Sequence, residues 1–206
     1  MKPFETAIFF ILPCFAYILG SVPWGLVMTK MFASEDITQK GSGNIGATNV
    51  RRVAGNLPGI LTLAGDMLKG AIPVYLAILL TGSDGMRSEI YISLVSLAAF
   101  LGHLYPLFMG FKKGGKGVAT AAGCFLVISP WAVFIALVIF ILSVWRSMRV
   151  SAGSLAALAV LPPAVWGIIG SGVLTGCALI ITVFIYYRHK DNIRRLINGT
   201  EPRLRN

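Results

Sequence analysis

Three short polar stretches in this 206-residue chain gather residue types suited to gripping phosphate. The first runs Gly41-Ser-Gly-Asn-Ile-Gly-Ala-Thr-Asn-Val-Arg-Arg52. Glycines such as Gly43 and Gly46 let backbone N–H groups converge on an anion. Ser42, Asn44, Thr48 and Asn49 add neutral hydrogen-bonding groups, and an arginine fork such as Arg52 clamps phosphate oxygens in pairs. A plain linker with orientation charges would not need this mixture of amides and hydroxyls.

The second stretch, Gly110-Phe-Lys-Lys-Gly-Gly-Lys-Gly117 followed by Val-Ala-Thr120, comes close to a Walker A loop. Gly117 stands where the Mg²⁺-binding hydroxyl belongs, and an apolar span, not a β-strand, precedes it. Nucleotide hydrolysis is thereby excluded. The phosphate-binding physics survives: Gly114, Gly115 and Gly117 in the backbone, Lys113 and Lys116 beside them, and a helix start just after. The third stretch is Arg188-His-Lys-Asp-Asn-Ile-Arg-Arg195. Its arginines suit anionic headgroups, which do not explain a histidine and an asparagine. On a continuing helix His189 and Asn192 share a face, and imidazole exchanges protons near neutral pH.

Three more residues stand apart. Asp66 and Lys69 sit three apart inside an apolar run, where an ionisable group costs about 3 kcal/mol on insertion scales. They are expected to pair and line the site. His103, in Gly-His-Leu-Tyr-Pro, is expected to support the second loop structurally. The two histidines have no third ligand at a suitable spacing, so no metal is expected. Cys14, Cys124 and Cys177 lie in apolar stretches without Cys-x-x-Cys spacing and read as small buried hydrophobes.

The elements that must position these residues are membrane spans. The chain is 56% hydrophobic and 13% charged, with mean hydropathy +0.78, against about a quarter charged in soluble domains. Spans of about 20 apolar residues are expected at Phe4–Met28, Leu57–Leu80, Ile90–Phe108, Ala152–Ile169 and Val173–Tyr187. The first has Lys2 offset by Glu5 and no small-x-small cleavage site, so it reads as a span and not a cleaved signal. Val118–Trp145 is long for one span and short for two, with Ser129-Pro130 in its middle. If Pro130 marks a turn, every Lys and Arg except Lys2, Lys69 and Arg87 falls on one side. If it marks only a kink, that bias largely disappears. The positive-inside rule therefore favours seven spans, N-terminus out and C-terminus in, with both segments around Pro130 short and one of them tilted or partly buried in protein. The net charge of +10 is read as orientation and phosphate handling, not nucleic-acid binding. Gly172-x-x-x-Gly176 is a candidate for close helix packing.

Taken together, Ser42-Gly-Asn-Ile-Gly-Ala-Thr-Asn-Val-x-Arg52, Gly102-His-x-Tyr-Pro with Gly-Phe-Lys…Gly-Gly-Lys-Gly-Val-Ala-Thr120, and His189-x-x-Asn192 resemble the bacterial acyl-phosphate:glycerol-3-phosphate acyltransferase family (PlsY) over nearly the whole chain. The family's Phe-Lys-Gly-Gly-Lys appears here as Phe-Lys-Lys-Gly-Gly-Lys, so either Lys112 or Lys113 matches its first lysine. The resemblance implies an all-α polytopic membrane bundle of seven transmembrane helices. It would be one domain over 1–206 in the bacterial inner membrane, with a periplasmic N-terminus, a cytoplasmic C-terminus and a cytoplasmic active site. It implies acyl transfer from a fatty acyl phosphate to sn-glycerol 3-phosphate, without a cofactor, by Ser42, Arg52, Lys116, His189 and Asn192. Membrane lipid is the expected surrounding partner, and nothing in the sequence sets an oligomeric state. The residues fit that implication by what they lack: there is no Gly-x-Ser-x-Gly elbow and no His-x-x-x-x-Asp. Two rivals, an organophosphate transporter and a lipid-binding scaffold, fit the intramembrane ionisable pair and the polybasic loops. The clustering of the polar motifs on one face counts against the first.

Overall fold

The computed structural model describes residues 3–112 and 114–204, so Lys113 of the second glycine-rich stretch lies outside the described residues. The regular elements among the described residues are helices: α1 (Pro3–Gly20), α2 (Trp24–Ala33), α3 (Ala47–Ala54), α4 (Asn56–Thr81), α5 (Met86–Leu104), α6 (Val118–Ile128), α7 (Pro130–Ser147), α8 (Val150–Ile169), α9 (Gly172–Arg188) and α10 (Lys190–Ile197). A short 3-10 turn, Leu107–Met109, leads into the second glycine-rich loop.

Among the described residues, five segments are long and apolar enough to cross a membrane: Phe9–Ala33, Asn56–Thr81, Met86–Met109, Pro130–Ser147 and Val150–Ile169. The pair α9–α10, bent by 62°, makes a sixth if taken as one span. Helix α6 has only 11 residues. The chain does break at Pro130, which opens α7 directly after the non-helical Ser129, because proline supplies no N–H to continue α6. Side chains such as Phe134, Leu137, Ile141 and Leu142 on α7 and Leu79 and Leu80 on α4 stand exposed. That surface is unstable in water and at home in lipid.

Two compact units divide the chain, residues 1–127 and 128–206. In the first, α5 packs against both α1 and α4, and α4 also packs on α2 and α3. Close approach is bought with glycine: a Cβ at Gly20 would strike the Ala99 carbonyl, one at Gly102 the Tyr17 carbonyl, and one at Gly123 the Met67 carbonyl. The Gly172/Gly176 pair does not play this part. A Cβ at either position would meet nothing within 4 Å, so the expected packing motif faces open space. Cys124 and Cys177 are buried free thiols as expected, but Cys14 is exposed.

In the second unit α8 packs against α7 and α9. Pro162 inside α8 cannot bond the Leu158 carbonyl one turn back. Thr182 Oγ1 donates to that carbonyl across the helix pair at 3.4 Å, and Tyr186 Oη donates to Leu155 O at 2.8 Å. Elsewhere hydroxyls fold back on their own helices, as from Thr62 to Pro58 O and Ser96 to Ile92 O, which satisfies them without water.

Candidate active site

The first polar loop owes its shape to Asn49. Its Oδ1 accepts the Ser42 N–H at 2.9 Å. Its Nδ2 donates to the carbonyls of Lys40 at 3.0 Å and Asn44 at 2.9 Å. Asn49 is 3% exposed, so this amide organises the loop from inside. Asn44 Oδ1 accepts the Gly46 N–H at 2.9 Å, a tight local turn. Gly41 and Gly43 both hold positive φ, +59° and +68°, and a Cβ at Gly41 would collide with Asn49 Oδ1. Gly46 caps α3 with extended backbone, and Thr48 follows in its first turn, partly buried. The outcome is a rigid loop that leaves Ser42 and Arg52 exposed. Asn44 and Asn49, expected to touch substrate, have side-chain oxygens committed to the loop itself.

The second loop lies flat on the end of α5. Gly114, Gly115 and Gly117 are all buried, and Lys116 between them is partly buried. A Cβ at Gly114 would strike the Leu104 carbonyl, one at Gly115 the His103 ring at Nε2, and one at Gly117 the Phe100 ring. Gly115 N–H donates to His103 O at 3.2 Å. These glycines are therefore required by close packing as well as by any anion they bind. Gly117, at φ +88°, also needs the conformation itself.

Behind this loop sits the expected ion pair. Lys69 Nζ lies 2.8 Å from Asp66 Oδ1 and donates to Val22 O at 2.9 Å. That carbonyl belongs to the break between α1 and α2, where Pro23 interrupts the helix. His103 Nδ1 lies 3.5 Å from the same Asp66 oxygen. All three side chains are buried.

The third stretch departs from a straight helix. The chain bends by 62° at His189, which closes α9 and opens α10. The apolar pattern that drives α9 stops at Arg188, and the polar α10 turns away. His189 and Asn192 are both buried. His189 Nδ1 pairs with Ile185 O at 2.8 Å. A carbonyl only accepts, so Nδ1 carries the proton, and Nε2 is the basic nitrogen of the neutral ring.

Asn192 brings in a residue that the motifs do not contain. Its Nδ2 donates to Glu201 Oε1 at 2.6 Å, and Ser151 Oγ donates to the same oxygen at 2.6 Å. Arg195 Nε donates to Oε2 at 2.7 Å. Burial pushes the Glu201 carboxyl up, but the Ser151, Asn192 and Arg195 donors outweigh it and hold the group below its usual range. Arg149, one of the basic residues that the charge pattern places on the inner side, donates to the backbone carbonyls of Glu201 at 3.1 Å and Gly199 at 3.3 Å. Glu201 was legible only as an acidic residue in a basic tail; its partners Ser151 and Arg149 lie some fifty positions away.

The profile of the glycerol-3-phosphate acyltransferase family matches residues 10–199. The glycerol-3-phosphate acyltransferase of Syntrophotalea carbinolica is 47% identical over 197 residues, covering 96% of this chain and 98% of its own. That of Geobacter metallireducens is 50% identical over 190 residues, covering 92% and 94%. Among solved structures, PlsY (YgiH), an integral membrane glycerol 3-phosphate acyltransferase in its glycerol 3-phosphate form, aligns with a TM-score of 0.89 at 37% identity over 95% of both chains. Its lysophosphatidic acid form aligns at 0.85 and 36% over 95% and 94%.

Proposed function

Because the chain belongs to the glycerol-3-phosphate acyltransferase family, we propose that it transfers a fatty acyl group from acyl phosphate to the 1-hydroxyl of sn-glycerol 3-phosphate. The products are 1-acyl-glycerol 3-phosphate and inorganic phosphate, and the reaction is the first step of bacterial phospholipid synthesis. The whole-chain likeness to a structure solved in a glycerol 3-phosphate form is the observation that carries this reading. The lysophosphatidic acid form of the same protein supports the product.

In the reaction a bond forms between the glycerol 1-oxygen and the acyl carbon, and the bond from that carbon to the phosphate oxygen breaks. Acyl phosphate is already activated, so no enzyme nucleophile intervenes. Arg52 and Lys116 neutralise phosphate charge, and Ser42 with the N–H groups of both loops completes the cradle. Rate enhancement then comes from positioning and from fixed donors aimed at developing charge. His189 presents Nε2 to the acceptor hydroxyl, as base or as hydrogen-bond acceptor, while Asn192 holds the acceptor. In the base role His189→Ala removes the lower limb of the pH–rate profile. In the other role a substrate phosphate oxygen takes the proton, and the profile keeps its shape.

The chain acts as a single domain in the inner membrane. α6 forms a seventh crossing, the N-terminus is periplasmic and the chemistry is on the cytoplasmic face. The placement of basic residues supports that orientation. Detergent-purified protein given acyl phosphate and glycerol 3-phosphate is expected to release phosphate and lysophosphatidic acid. Failure to do so, with uptake of glycerol 3-phosphate only in sealed vesicles, would establish a transporter instead.

A further inference from the structure

The geometry points to the buried Asp66–Lys69–His103 cluster as the positioning element of the Gly114–Gly117 loop, and through it of Lys116. Asp66 is the eleventh residue of α4 and lies about 15 Å along the helix from its start. The ion pair is thus well inside the span, where charge persists only if it is paired and put to use. Lys69 completes the pair and anchors it to the Val22 carbonyl, a fixed point at the break between two helices. Asp66 turns the same oxygen toward His103 Nδ1. The opposite edge of that ring, at Nε2, is the surface on which Gly115 rests, and the His103 carbonyl holds the Gly115 N–H. One histidine therefore meets the loop through both backbone and side chain, and the Asp66 carboxylate stands 3.5 Å behind its ring at Nδ1, a charge contact and not a hydrogen bond.

Lys116 follows Gly115 directly, so a shift of the ring becomes a shift of the lysine. A misplacement of about 1 Å in a site of this kind costs on the order of 100-fold. None of the three side chains need touch substrate for this role. The kinetic part of the inference rests on the acyl-transfer function proposed above; the structural part does not.

The test uses full-length protein in detergent: wild type, His103→Gln, His103→Leu, Asp66→Asn and the double variant His103→Gln/Asp66→Asn. Amide hydrogen exchange across residues 110–118 and steady-state kinetics are measured on each, with thermal unfolding as a check on folding. His103→Leu is expected to raise exchange in that segment at least about tenfold while α7–α9 exchange as in wild type. It should also raise KM for a phosphorylated substrate about tenfold or more. His103→Gln, which keeps a polar group at the ring edge, should recover much of both losses. The double variant should be no worse than the poorer single variant, as expected when two residues act through one contact. If Asp66→Asn does not accumulate as folded protein, Asp66→Glu, which keeps the charge but moves it, should show the same loop loosening. Wild-type exchange and KM in a folded His103→Leu protein would overturn the inference. So would losses in the double variant that multiply. If wild type itself transfers no acyl group, the functional proposal fails, and the exchange data alone decide whether the cluster holds the loop.

Discussion

The second and third polar stretches are built on opposite principles. The Gly114–Gly117 loop meets its support through shape, with the charged Asp66–Lys69–His103 cluster one layer behind: three glycines press backbone against the Leu104 carbonyl and the His103 and Phe100 rings. The region around His189 and Asn192 is positioned by charge, with Glu201 accepting from Ser151, Asn192 and Arg195. The first has no spare volume and the second has no spare charge. Substitutions that are mild in one region should therefore be damaging in the other.

The largest effect is expected from adding one carbon to the first region. Gly115→Ala places a methyl on His103 Nε2, and overpacking of this kind costs about 1–3 kcal/mol. A fall in kcat/KM of at least about 100-fold, or about 2.7 kcal/mol, is expected. Near-wild-type kinetics would mean that the loop has room the geometry denies. Glu201→Gln changes almost no volume but replaces an acceptor shared by three donors. Hydrogen bonds to a charged group contribute about 1.5–3 kcal/mol each, discounted here because Arg195 is partly exposed. A loss of about 2 kcal/mol in unfolding free energy is expected, with about a tenfold loss of turnover. If Glu201→Gln were silent while Glu201→Ala were not, volume and not charge would hold the tail, and the contrast would collapse.

The same contrast has a pH signature. The Glu201 carboxyl is held below its ordinary value of 4.5 in the folded protein. Its contribution is therefore complete above that value and is lost as pH falls through the lower folded value. Thermal unfolding of wild type in detergent should weaken across that acidic window, and Glu201→Gln should show less of the dependence. Arg52→Lys is expected to be milder, about a tenfold loss in kcat/KM, because the charge survives and only the fork is lost. Wild-type kinetics in that variant would count against a two-pronged grip. Smallest of all is Gly176→Ala, whose Cβ would meet open space. It should leave activity unchanged and stabilise α9 by up to about 1 kcal/mol through helix propensity.

Local chemistry made some of this legible in the sequence. Asp66 and Lys69 are three apart on one helix, so their pairing followed from spacing alone. The break at Pro130 followed from a missing N–H and from where the basic residues would otherwise fall. The bend at His189 was not legible, because a polar segment after an apolar helix is as compatible with a straight continuation as with a turn. Nor was the role of Glu201, since Ser151 and Arg149 reach it only through the fold. The Gly172/Gly176 spacing misled for the same reason: a glycine records that space is needed only if something approaches it, and here nothing does. The close approaches occur at Gly20, Gly102 and Gly123 instead.

The shortness of α6 bears on how the chain is made. Eleven residues reach about 16 Å, roughly half of a hydrocarbon core about 30 Å thick. A segment of that length gains too little from lipid to leave an insertion channel by itself. If it crosses as proposed, it must enter against protein, and the protein it needs is already there. Gly123 of α6 seats on the Met67 carbonyl of α4, and Gly70 of α4 on the Thr120 carbonyl of α6. Synthesis delivers α4 and α5 before α6, so the order of the chain supplies the receptive surface ahead of the helix that requires it. A rearranged gene that placed α6 first would encode every native contact and still give the ribosome a helix with nowhere to go.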